Sequence, residues 1–198
     1  MIARLEGVLR DQQPTRVVID VGGVGYEVHI PLSTFTELPD PGKTVALHIH
    51  THAKDGAIQL FGFISVAERV AFALLLRANR VGPRLAQTIL SGITPAALLE
   101  AVRSGTAAAL QAIPGVGSKV AQRILLELRD RAEELAPVVD GGPQGMPVSS
   151  AEEETLSALM NLGYSRVEAE RVLSEATGEV GSGATIEALV RASLKRLG

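Results

Sequence analysis

With 198 residues and a 46% hydrophobic fraction, the chain can build two or three small packed cores and is not a disordered polymer. It has no cysteine, which excludes disulfides, thiol catalysis and thiolate metal sites, and its 3% aromatic content without tryptophan excludes the stacking platforms of single-strand binders. The net charge of −3 is segregated: residues 1–63 sum to −2, residues 77–131 to +5 and residues 132–198 to −6, so an anion belongs at the middle of the chain.

The amino terminus, Met1-Ile2-Ala3-Arg4, runs straight into strand-like sequence without an apolar signal segment, and no apolar run is long enough to span a bilayer. A soluble, cytoplasmic protein is expected. Residues 1–63 read as β: Ile2–Leu9, Arg16–Val21, Tyr26–Ile30, Thr44–Thr51 and Ala57–Phe63 are short, rich in Val and Ile, and bounded by turn residues. Gly22-Gly23 and Asp55-Gly56 are hairpin signals. Five short strands in this length fit a small closed barrel of the OB type, with an SH3-like barrel as the alternative.

At Ser65 the period changes. Ser65 and Glu68 form a capping-box pattern, and Val66, Val70, Ala73 and Leu74 follow at helical spacing. Thr94-Pro95 opens another helix, Gly105 can end it, and Thr106 is placed to cap the next. Helix is predicted through about Leu135. Residues 64–136 form a second domain, and Pro137 to Pro147, rich in proline and glycine, predicts a linker over 137–149. Ser150 and Glu153 restart helix, Leu156, Leu159 and Met160 form a stripe, Ser165 and Glu168 cap a second helix, and Thr185–Leu197 makes a third. Residues 150–198 are thus a three-helix, UBA-like module, and the whole is an α+β multidomain chain.

The central segment contains a repeat. Val81-Gly82-Pro83-Arg84-Leu85-Ala86-Gln87-Thr88-Ile89-Leu90 aligns with Val116-Gly117-Ser118-Lys119-Val120-Ala121-Gln122-Arg123-Ile124-Leu125 at an offset of 35 residues, with six of ten positions identical. Each copy is a tight glycine turn followed by a helix that begins with a basic residue. Helix starts carry N–H groups without intrahelical partners and partial positive charge, and a glycine lets a phosphate approach without meeting a Cβ. Arg84 and Lys119 add cations at an end where the helix dipole disfavours them, which makes sense if an anion is bound there. Such a site reads backbone and carries no base information.

Ile113-Pro114-Gly115-Val116-Gly117-Ser118-Lys119 resembles a helix-hairpin-helix turn, and Asn79-Arg80-Val81-Gly82-Pro83-Arg84 resembles a second. Together with the barrel, the Gly/Pro stretch, the three-helix tail and the segments Met1-Ile2-Ala3-Arg4-Leu5-Glu6-Gly7, Gly23-Val24-Gly25-Tyr26 and Leu60-Phe61-Gly62-Phe63, they resemble the RuvA family over the whole chain. The resemblance implies a tandem helix-hairpin-helix, DNA-binding domain in a homotetramer, or an octamer, that holds a four-way (Holliday) junction open for branch migration in recombination and repair. It implies DNA contacts at Arg80, Val81, Gly82, Arg84, Gly115, Val116, Gly117, Ser118, Lys119 and Arg123. It also implies a RuvB-like hexameric ATPase docked on the C-terminal module, with Leu159, Leu162 and Tyr164 as contact candidates, and a RuvC-like junction resolvase as a further partner. Acidic residues at the centre of such assemblies form a pin that helps separate strands. The family usually has two adjacent acids there; here Lys54-Asp55-Gly56 retains Asp55 alone, so weaker repulsion of the central phosphates is expected. Arg80 stands where the family often has glycine.

Other features read as structural. His48, His50 and His52 alternate along one strand face without a carboxylate or cysteine beside them and do not suit a tetrahedral metal. Gly22-Gly23-Val24-Gly25 lies between strands, not before a helix, and Gly117-Ser118-Lys119 lacks the earlier glycine of a nucleotide loop. No catalytic constellation and no cofactor site is recognisable, so a non-enzymatic DNA-binding subunit is expected. The alternatives are an accessory subunit of a nuclease or repair enzyme, and an RNA-binding barrel, against which the scarcity of aromatics counts. In the tail, Leu156, Leu159, Leu162, Val172, Ile186, Leu189 and Val190 are expected to be mostly core, and a net charge of −6 favours a protein partner over DNA.

Overall fold

The computed structural model describes residues 1–54, 56–140, 151–181 and 184–197, in two compact units, Met1–Pro143 and Gln144–Gly198. Five strands, β1 (Arg4–Gln13), β2 (Arg16–Val21), β3 (Val24–His29), β4 (Thr44–Lys54) and β5 (Ala57–Phe63), close into a barrel in the order β1-β2-β3-β5-β4. That topology is the OB type. Closure comes from β4 pairing with β1 and from a single parallel contact, His29 with Phe61. Alternate residues fill the interior, among them Leu5, Leu9, Val17, Ile19, Val28, Val45, Leu47 and Ile49. Gly22 and Gly23, both at positive φ, make the two-residue turn between β2 and β3.

Strands β1 and β4 run further than their apolar pattern suggests, because ladder pairs such as Gln13 with Arg16 and Lys54 with Ala57 continue into exposed polar sequence. A short helix between β3 and β4, α1 (Leu32–Glu37), goes beyond the elements that the sequence pattern predicts. Its Thr34 is fully buried. Then follow α2 (Val66–Leu75), α3 (Pro83–Gly92), α4 (Pro95–Ser104), α5 (Ala108–Gln111) and α6 (Ser118–Leu128), a 3-10 turn at Arg129–Arg131, and α7 (Ala132–Asp140). Thr94 caps α4 as expected, accepting from the Ala97 N–H at 3.2 Å. Thr106 does not cap α5, which has Ala107 at its start and no side-chain cap.

The Ser65–Glu68 box is only half formed. The Ser65 hydroxyl accepts from the Glu68 N–H at 3.1 Å, but the Glu68 carboxylate turns inward. There it accepts from Ser33 Oγ at 2.6 Å, Thr34 Oγ1 at 3.3 Å and the Ile64 N–H at 3.2 Å, buried at 5% exposure. A second link between barrel and helices is aromatic: Phe72 of α2 lies 4.9 Å from Phe61 and 5.0 Å from Phe63, both of which belong to the helical core. Residues 137–140, expected in the linker, continue α7 instead. Pro137 removes one helical hydrogen bond, which Val138 and Val139 offset by packing against that core. The rest of the expected linker, with Ser150 of the predicted cap, lies outside the described residues.

The C-terminal unit has three helices, α8 (Ala151–Asn161), α9 (Arg166–Val180) and α10 (Ile186–Leu197). Ser165 and Glu168 form a complete capping box at α9. Leu159, Ala169 and Val172 make the core, with Leu156, Tyr164 and Leu194 against it. Met160, Leu162 and Ile186 are exposed, contrary to the reading of the last two as core. Among the described residues no single helix is long and apolar enough to cross a membrane.

His48 and His50 sit on the outer face of β4, with His50 edge-on to Phe72 at 5.2 Å. Burial lowers both from the ordinary value of 6.5, helped by Arg69 and Arg4 at His48 and by His52 and Arg69 at His50. The folded state therefore binds these protons less readily than the unfolded state, and stability is lost as pH falls through the window below 6.5. Denaturant midpoints measured at about pH 7.5 and about pH 5.5 should drop at the lower pH, and the drop should shrink in His50→Phe.

Candidate nucleic-acid interface

The sequence repeat is a repeat of geometry. In the first copy the Val81 N–H donates to the Ala78 carbonyl at 3.1 Å, and in the second the Val116 N–H donates to Ile113, the equivalent residue, at 3.0 Å. Arg80 and its counterpart Gly115 both take the left-handed conformation, at φ +67° and +85°. Gly82 (φ −87°, ψ 173°) and Gly117 (φ −77°, ψ 169°) are then extended N-caps, neither supplying a side-chain cap. The first intrahelical bonds are from the Ala86 N–H to the Gly82 carbonyl at 3.0 Å and from the Val120 and Ala121 N–H groups to that of Gly117 at 3.0 and 2.9 Å. The N–H groups of Arg84 and Leu85, and of Ser118 and Lys119, precede them and have no intrahelical partner.

A Cβ built on Gly82 or Gly117 meets no protein atom within 4 Å. Both helix starts are open to a ligand on that side. Arg80, Arg84, Ser118, Lys119 and Arg123 are exposed, and the first, second and fourth make no salt bridge among the described residues. By contrast Arg77, at the edge of the segment, is engaged by Glu134 at 2.8 Å.

Two expected contact residues are corrected. The Val81 and Val116 side chains are buried, at 5% and 3% exposure, and their N–H groups are used inside the turns. They fasten each turn to the core. Arg80 is the one non-glycine residue at positive φ among the described residues, a conformation that costs a side chain about 1 kcal/mol or more. Asp55, the expected pin, lies outside the described residues, although Gly56 beside it has φ +77°.

Helix α3 is tied to the barrel by Gln87, whose side-chain amide donates to the Ile30 carbonyl and, at 3.3 Å, to that of Thr15, and by Ser91 Oγ, which accepts from the Leu32 N–H at 2.9 Å. The two copies pack closely where Gly92 faces Ile113: a Cβ there would lie 3.1 Å from the isoleucine. Sequence reasoning misses Glu127 of α6, whose carboxylate accepts from the Asn79 N–H at 2.7 Å and from Asn79 Nδ2 at 3.0 Å. The one signal for it in the sequence is the position of Asn79 opposite Pro114 in the repeat. In the C-terminal unit, Leu159 is fully buried, Tyr164 is half-buried against the core, and Leu162, at 61% exposure, is the most exposed of the three partner-contact candidates.

Residues 1–62 match the model of the RuvA N-terminal domain, residues 72–130 that of the SAM-like helix-hairpin-helix tandem, and residues 150–198 that of the RuvA C-terminal domain. The chain is 48% identical over 200 residues to the Holliday junction branch migration complex subunit RuvA of Syntrophobacter fumaroxidans, with all of both chains covered. It is 46% identical to the protein of that name from Geobacter metallireducens, covering all of this chain and 99% of the relative, and 43% identical to that of Pseudomonas syringae, covering all of both. Similarity of this extent from end to end, with barrel, paired hairpins and terminal module matched in order, shows that the chain belongs to the RuvA family.

Proposed function

We propose that this chain binds four-way junction DNA as a non-catalytic subunit of a branch-migration complex. The observation that carries the reading is the pair of geometrically equivalent helix starts, each with an open glycine face and an exposed cation, in the segment of charge +5. Gly82 with Arg84 takes one backbone phosphate; Gly117 with Ser118, Lys119 and Arg123 takes another. The relatives' name, branch migration complex subunit, supports a junction as the ligand and a larger assembly as the setting. Within it the chain forms a homotetramer or octamer, Asp55 serves as the pin, and the residues 150–198 module recruits a RuvB-like hexameric ATPase through a surface that includes Leu162. A RuvC-like resolvase acts on the same junction.

Gel-shift titration of a four-way junction and of a linear duplex of equal sequence, over a salt series, tests this. Strong junction preference with a steep fall in affinity as salt rises is expected. Lys119→Ala should weaken binding on every sequence alike and reduce the salt slope by about 1 for each phosphate it no longer neutralises. Equal affinity for the two DNAs overturns the junction reading.

A further inference from the structure

With the glycine turns taken as phosphate sites, we infer that Glu127 is a positioning residue, holding the Asn79–Arg80 turn in its phosphate-binding shape from the far end of the second hairpin's helix.

The repeat register sets Asn79 opposite Pro114 and Arg80 opposite Gly115. The second turn holds itself. Pro114 has no N–H to satisfy and a preset φ, and Gly115 adopts φ +85° without steric cost. The first turn has neither advantage. Asn79 exposes an N–H and an amide that need acceptors, and Arg80 sits at φ +67°, where a side chain is strained. Glu127 takes both Asn79 donors on one carboxylate, at 2.7 and 3.0 Å, across 48 residues of chain. These two bonds, the backbone one first, hold its pKa below the ordinary carboxylate value, with Arg123 and Arg131 adding to them.

The arrangement also explains an acid in this place. Residues 77–131 contain only three acidic side chains, and Glu127 is one whose carboxylate has a fixed partner in Asn79. It joins the two sites, because α6 begins at the second phosphate site and ends at the brace on the first. The hairpins then grip as a coupled pair.

The test uses full-length Glu127→Ala, Glu127→Gln, Arg80→Gly and the Arg80→Gly/Glu127→Ala double variant, with junction affinity over a salt series and thermal unfolding as readouts. Glu127→Ala is expected to weaken junction binding on the order of tenfold and to flatten the salt dependence. Glu127→Gln, which keeps an acceptor oxygen for the Asn79 N–H, should recover most of that loss. Measured against Arg80→Gly alone, adding Glu127→Ala should cost less than about twofold, since glycine takes the left-handed turn unaided.

A lowered unfolding temperature with unchanged affinity and salt slope would make Glu127 merely structural and overturn the inference. So would a binding loss from Glu127→Ala that is as large in the Arg80→Gly background as in the parent. Lys119→Ala serves as the separating control: if it too binds like the parent, the phosphate reading of the hairpins is what has failed.

Discussion

Gly82→Ala and Gly117→Ala are expected to leave the fold intact and to remove most of the junction affinity. The backbone at both positions has ordinary negative φ, and an added Cβ finds no protein atom within 4 Å. Within the protein the only cost is that of a poorer N-cap, about 1 kcal/mol or less. The consequence for a ligand is different. The new methyl group occupies the side from which a phosphate reaches the helix's unpaired N–H groups, and it pushes the anion out of hydrogen-bond range. Losing a charge-assisted contact of this kind should weaken binding on the order of tenfold per site, more when several subunits hold one junction. Unfolding by circular dichroism and junction titration on the same samples separate the two effects. Parental affinity in both variants would show that these faces do not meet DNA.

Glu68→Ala is expected to destabilise the fold far more than either glycine substitution, by about 3 kcal/mol or more. Its carboxylate is buried and gathers three donors from two parts of the chain: the Ser33 and Thr34 hydroxyls of α1 and the Ile64 N–H before α2. Removing it leaves the Ser33 and Thr34 hydroxyls without this acceptor and the Ile64 N–H with only the Thr34 hydroxyl, at 3.3 Å. For a unit of this size the change should lower the thermal midpoint by roughly 10 °C. Glu68→Gln retains acceptor capacity and should fall in between. A midpoint within about 2 °C of the parent in Glu68→Ala would mean that water or a rearranged Thr34 satisfies the site.

Much of this architecture is legible in the sequence alone. Val and Ile runs punctuated by Gly22-Gly23 mark the barrel because a period of two and a left-handed turn leave few other arrangements. The repeat around Gly82 and Gly117 marks the candidate interface because local turn chemistry is encoded locally. What escapes depends on contacts distant in sequence. Helix α1 begins after Pro31 and is rich in Ser and Thr, a weak helical signal that Glu68 stabilises from 34 or 35 residues away. Glu68 reads as half of a capping box because its neighbour Ser65 is visible in sequence and Thr34 is not. Val81 and Val116 read as phosphate contacts because they stand within the turns, whereas packing decides that they point inward. The burial of Leu159 and the exposure of Leu162 are likewise set by how three helices close, which a single stripe does not reveal.

The amide of Gln87 on the carbonyls of Ile30 and Thr15, with Ser91 on Leu32, has a mechanical consequence. These links leave α3 little freedom to swivel on the barrel, and the Phe61–Phe72 stack holds the neighbouring α2 to the same barrel. If the helix starts at Gly82 and Gly117 hold phosphate as proposed, the first of them is fixed on the barrel and the nucleic acid must match it. On that reading the molecule would act as a gauge: a duplex arm whose phosphates deviate from the fixed position would bear the elastic cost of conforming, and selectivity for nucleic-acid shape would arise without one base being read.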